Sequence, residues 1–168
     1  MNDQSQLSWI TNYIWGIADD VLRDIFVRGK YRDVILPMTV LRRFDAVLEV
    51  SKQDVLDMKK SLDSSGIVDQ DPALRQTAGQ AFYNTSKFTM RDLKARANRQ
   101  QLKADFEAYL DGFSPNVQDI LENFEFRNQI QRLSKSDALG TLIEKLTSPE
   151  LNLSPEPVHN SDGSIKHP

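Results

Sequence analysis

The chain has 168 residues, a formal net charge of −3, 39% hydrophobic and 27% charged residues, and no cysteine. That suits one domain with a sizeable core, and the missing cysteines exclude disulfides and thiolate metal sites. No apolar run approaches the roughly 18 residues that cross a bilayer, and MNDQSQLSW lacks the regions of a secretory signal, so a cytoplasmic protein without a membrane partner is expected.

The first element is an amphipathic helix over Ser8–Phe26, with Leu7, Ile10, Ile14, Ile17, Val21 and Ile25 on one face. Gly29 is its expected stop. Trp9, Tyr13, Trp15, Phe26 and Phe44 stand at helical spacing and read as core residues rather than base-stacking platforms. From Tyr31 to Leu62, apolar residues recur every seven positions at Val34, Leu41, Leu48, Val55 and Leu62, with Phe44 and Met58 as companions. This predicts one long helix, bent or started late at Pro37. Asp45, Ser51 and Lys52 interrupt its second apolar row, which favours packing inside a bundle over an intermolecular coiled coil.

Ser64, Ser65 and Gly66 end that helix. Asp71-Pro72 predicts a cap followed by proline at the first helical position, and Gly79–Phe88 reads as irregular. Thr89 to Asp92 has capping-box spacing. The next helix carries Leu102, Phe106, Leu110 and Phe113, and Ser114-Pro115 opens another with Val117, Ile120, Leu121 and Phe124. Phe124 and Phe126 cannot share one helical face, so the chain is expected to turn there. Arg127 and Asn128 could then hydrogen-bond across elements, making Phe124, Phe126, Arg127 and Asn128 a candidate structural clasp. Ile130 and Leu133 follow, and Ser136-Asp137 is the expected cap of a last helix with Leu139, Leu142, Ile143 and Leu146. No segment shows sustained period-two alternation, so strands are not expected.

The sequence therefore predicts an all-α fold: an irregular bundle of about five to seven helices over residues 1–147, with an extended C-terminal tail. Residues 148–168 contain Pro149, Pro155, Pro157 and Pro168 and read as a linker toward a catalytic domain absent from this sequence.

Catalytic motifs are not found. The seven glycines, at 16, 29, 66, 79, 112, 140 and 163, form no GxG pair, so phosphate-cradling loops are absent. His159 and His167 both fall in the tail, without a ligand at helical spacing. Asp19 and Asp20 face away from the apolar stripe and read as solvated charge. No catalytic, cofactor-binding or metal-ligating residue is predicted.

Charge is segregated despite the acidic average. Lys87, Arg91, Lys94, Arg96, Arg99 and Lys103 face a single acid, Asp92, whereas Asp105, Glu107, Asp111, Asp119, Glu122 and Glu125 follow without a basic residue. Arg28, Lys30 and Arg32 form a second basic group, followed by Arg42 and Arg43. Such groups neutralise phosphates without reading sequence, or they pair with the neighbouring acidic face. Both readings stay open. The candidate DNA-backbone residues are Arg28, Lys30, Arg32, Arg91, Lys94, Arg96 and Arg99.

Three phrases carry a resemblance: IWGIADDVLR at Ile14–Arg23, YRDVILPMTVLRR at Tyr31–Arg43, and above all LENFEFRNQIQRL…DALGTLIEKL at Leu121–Leu146. With the tail phrase NLSPEPV, Asn152–Val158, they resemble the N-terminal helical domain of the modification (M) subunit of type I restriction–modification systems, HsdM. The resemblance implies a parent polypeptide that moves a methyl group from S-adenosylmethionine to N6 of adenine. It implies double-stranded DNA, a specificity (S) subunit, a restriction (R) subunit and a second copy of the M subunit as partners. The front domain would clamp DNA and contact subunits. The family's cofactor and Asn-Pro-Pro-aromatic motifs have no match here, so this chain alone is expected to hold no cofactor and to be inactive. Two alternatives are a helical scaffold without DNA contact and a stand-alone DNA-binding regulator. The latter is disfavoured because no compact helix-turn-helix with a basic recognition helix is visible.

Overall fold

The computed structural model describes residues 3–94, 99–151, 153, 158–159 and 165–166. Among these, nine α-helices make an all-α bundle: α1 (Asp3–Leu22), α2 (Tyr31–Leu48), α3 (Lys52–Ser64), α4 (Asp71–Ala78), α5 (Met90–Lys94), α6 (Arg99–Asp111), α7 (Pro115–Asn123), α8 (Arg127–Lys135) and α9 (Ala138–Leu146). The number exceeds the expected one because segments read as continuous are broken by short turns.

The heptad row lies in the core: Val34, Leu41, Leu48, Val55 and Leu62 are all buried. The helix carrying it is not continuous, however. A 3-10 turn, Glu49–Ser51, separates α2 from α3. Pro37 neither delays nor ends α2; it sits buried inside the helix, which starts at Tyr31. Its ring packs into the core, and this burial offsets the missing backbone donor. α1 ends at Leu22 rather than Phe26, and Gly29 lies in a 3-10 turn, Arg28–Lys30, that leads into α2.

Other ends follow their local chemistry. Gly66 closes α3 with φ 69°, its N–H on Asp63 O at 3.1 Å and that of Ile67 on Leu62 O at 3.0 Å. The capping box of α5 is reciprocal: Thr89 N–H donates to Asp92 Oδ2 at 2.8 Å, and Asp92 N–H to Thr89 Oγ1 at 3.3 Å. Two expected caps fail. Asp71 is the first residue of α4, not its cap. Its carboxylate accepts from Tyr83 Oη at 2.8 Å and pairs with Arg75 at 2.8 Å. Asp137 precedes α9 in the left-handed region, φ 61°, with no side-chain cap bond.

α9 is the central element, with Ala138, Leu139, Leu142, Ile143 and Leu146 all buried. It packs against α1, α5, α6 and α8. Asn84 and Phe113 form an isolated antiparallel bridge that ties the irregular segment before α5 to the end of α6. Packing continues past α9, with Leu151 in the core and Leu153 against it. The all-α expectation holds for the bundle; past it, β1 (Val158–His159) pairs antiparallel with β2 (Ile165–Lys166) over two residues each. Two-residue strands are too short to show alternation in sequence.

Trp9 and Trp15 correct another expectation. They are 47% and 43% exposed, because both fall on the solvent side of α1, away from buried Ile14 and Ile17. Trp9 instead stacks on Tyr13, centroids 5.0 Å apart. Phe26 is buried and Phe44 packs against Phe82 at 4.2 Å.

Candidate nucleic-acid interface

Arg28, Lys30 and Arg32 are exposed around the turn that enters α2. This placement follows from the helix itself: Tyr31, Val34 and Ile35 take the buried face, which leaves the flanking cations in solvent. Lys30 pairs with Asp33 only at 3.9 Å, and nearby Arg23 pairs with Asp20 at 3.9 Å. Exposed pairs of this length contribute little.

A residue distant in sequence joins this corner. Arg132 of α8 lies over the Phe26 ring, 4.3 Å from its centroid, and donates to Ile25 O. Arg23, Phe26, Arg28, Lys30 and Arg132 line one open cavity of about 670 Å³, with Asp24 as its single acid.

Arg91 and Lys94 are exposed on α5. Arg91 pairs with Glu49 at 3.3 Å. Since α2 separates Tyr31 from Glu49, roughly 25 Å at ~1.5 Å per residue lies between the two basic groups. They do not merge into one patch. Arg96 lies outside the described residues, and of Arg99 only its place at the start of α6 is described.

Glu125 adopts φ 50° between α7 and α8, so the chain does turn between the two phenylalanines. Phe126 is fully buried and meets Phe106 edge-on, centroids 6.3 Å apart. Arg127 reaches Asp111 at 2.9 Å and Gln118 Oε1 at 2.8 Å, joining α8 to α6 and α7. Phe124 is half-buried and Asn128 exposed; the Asn128 backbone N–H donates to Glu125 O at 3.1 Å.

A buried polar cluster is not marked by any sequence motif. Asp45 accepts from Arg42 Nη1 at 3.0 Å, Tyr109 Oη at 2.9 Å and Met90 N–H at 3.0 Å. Arg42, 3% exposed, also donates through Nε to Leu146 O at 3.1 Å. One carboxylate thus ties α2 to the start of α5 and the end of α6, while its partner guanidinium caps the end of α9. Desolvation pushes Asp45 up from its ordinary value, against the hydrogen bonds from Met90 and Tyr109 and the charges of Arg42 and Lys52. Burial also pushes Lys52 down to about 8, although Asp45 and Asp92 act in the opposite sense. Lys52 donates to Asn84 Oδ1 at 2.9 Å. Tyr109 is raised well above 10 by its full burial and by Asp45. The available signal was Arg42 and Asp45 three residues apart beside the apolar row; Arg132 had no local signal at all.

Among the described residues no group of three His, Asp or Glu side chains could hold a metal ion, and no helix is long and apolar enough to cross a membrane. The class is an all-α domain, internally tied by a buried polar cluster and cationic at one exposed corner. The chain belongs to the HsdM N-terminal domain family, whose profile matches residues 10–146; this is the N-terminal domain of the type I restriction–modification methyltransferase subunit. No curated protein and no solved structure matches the chain.

Proposed function

We propose that this domain clamps DNA and contacts subunits within a type I restriction–modification adenine-N6 methyltransferase. The observation that carries this reading is the family match over residues 10–146. The exposed cations Arg28, Lys30 and Arg32 support a backbone contact, which positions a duplex without reading it. Leu7, Trp9 and Trp15, exposed along α1, support a subunit contact, since tryptophan is enriched at interface hot spots. Sequence reading belongs to the S subunit, with the R subunit and a second M subunit completing the complex in the cytoplasm.

In this reading S-adenosylmethionine binds elsewhere in the M subunit rather than in this domain. The cavity of about 400 Å³ beside α4 has its polar groups engaged internally: Lys59 with Gln70, Asp71 with Tyr83 and Arg75, Asp111 with Arg127. By the same reading, methyl transfer to an adenine flipped from the stack is the work of another part of the M subunit. The test is DNA affinity of the assembled complex as a function of salt. Charge reversal at Arg28, Lys30 and Arg32 should flatten the log–log slope by about 0.9 for each phosphate no longer neutralised; an unchanged slope would sink the DNA contact. Methyl transfer by residues 1–168 alone would overturn the assignment of chemistry elsewhere.

A second reading, a scaffold without DNA contact, draws on the internal pairing of basic with acidic residues. Arg91–Glu49, Lys103–Glu107 and Arg127–Asp111 are such pairs. Co-purification with the S subunit combined with no DNA dependence would select it.

A further inference from the structure

Arg132 differs from the other exposed cations because its guanidinium is already placed. One face covers the Phe26 ring and one donor is engaged by Ile25 O, leaving further N–H donors of its five-donor fork at the cavity. Side-chain ordering, a main cost of engaging an anion, is thereby reduced before any ligand arrives. Around it stand Arg23, Arg28 and Lys30, four cations in all against Asp24. No ion pair engages Arg28 among the described residues. At the other end of α2, Arg91 already has Glu49.

We propose that this cavity is a phosphodiester site for a nucleic-acid strand, with Arg132 as its fixed guanidinium and exposed Arg28 as its partner. The proposal rests on the DNA-contact reading above and narrows it to one corner of the molecule. A protein partner is disfavoured by composition. Interface centres are depleted in charge and enriched in aromatics, whereas this corner is crowded with cations, and of its two aromatics Phe26 is covered by Arg132 and Tyr31 is buried.

The test measures fluorescence anisotropy of a labelled duplex oligonucleotide against the 168-residue chain over a series of salt concentrations. Wild type should bind, and Arg132→Gln and Arg28→Gln should each flatten the log–log slope by about 0.9. Lys59→Gln, at a cation already held by Asp63 and Gln70, should leave it unchanged. Arg28 is exposed, so its variant decides the outcome if Arg132→Gln fails to fold. An unchanged slope in both variants, with binding retained, would overturn this site while DNA contact survives elsewhere. Absence of duplex binding by the wild-type chain would remove both readings. Displacement of the duplex by polyglutamate at equal charge would transfer the corner to an acidic protein and overturn the proposal.

Discussion

Asp45 interrupts an apolar row, yet its carboxylate joins α2 to α5 and α6. Its carboxylate meets Arg42, Tyr109 and the Met90 N–H, and a buried ion pair with this many partners is costly to half-remove. Asp45→Leu should destabilise the fold by about 3–5 kcal/mol, because Arg42 stays buried without its counter-charge. Arg42→Met combined with Asp45→Leu should cost less than the single change, measured as a double-mutant cycle in urea. A double variant as costly as the sum of the singles would show that the two act independently. Lys52 contributes in the alkaline range. Its folded value is about 8 against an ordinary 10.5, so below pH 8 both states hold the proton and the folded chain bears the whole cost of burying the charge. Between about 8 and 10.5 the unfolded chain binds more protons, and stability rises with pH. The difference between wild type and Lys52→Met should therefore shift in favour of wild type across that window; a pH-independent difference would refute the depressed value.

Elements meet here through close backbone approach as well as through apolar faces. Gly112 follows α6 where the chain runs beside the segment before α5: Thr85 N–H donates to Gly112 O at 2.8 Å, and Ser114 N–H to Tyr83 O at 3.0 Å. A Cβ at Gly112 would lie 2.5 Å from Ser86 N and 2.8 Å from Ser86 Cβ. Gly112→Ala should consequently cost about 1–3 kcal/mol through overpacking, whereas Gly29→Ala, with nothing within 4 Å, should change thermal stability little. Equal melting temperatures for the two variants would exclude the close approach. The element scale is also where sequence was most legible. The seven-residue row at Val34 to Leu62 identified the core face because helical periodicity is a local property. The break at Glu49–Ser51 escaped, since those residues are all compatible with helix. Trp9 and Trp15 read as core from their helical spacing, although that spacing puts them on the side of α1 away from Ile14 and Ile17. At the candidate site, Arg28 and Lys30 could be read from sequence as a basic turn. Arg132 could not, because 107 positions separate it from Ile25 and only tertiary packing joins them.

For the whole molecule, the position at which packing ends determines what behaves as a unit. The composition change at Ser148 suggests that the body stops with α9, and the family match also ends at Leu146. Packing nevertheless extends further. Leu151 is 1% exposed, Leu153 lies against the same core, and Arg43 donates to Leu153 O. Arg42, the neighbour of Arg43, holds Leu146 O, so successive arginines of α2 secure the chain on both sides of the α9 terminus. Burial of a leucine side chain contributes about 1.5–3 kcal/mol. In a chain of this size each kcal/mol moves the melting temperature by about 2–4 °C. A chain ending at Thr147 should therefore melt roughly 3–12 °C below one ending at Leu153, while the latter should melt within a degree or two of the 168-residue chain. Calorimetry of the three lengths separates the possibilities. Equal melting temperatures for the Thr147 and Leu153 forms would mean that Leu151 adds nothing and that the body ends with α9. A further drop on removing residues 154–168 would mean that the β1–β2 pair also supports the bundle.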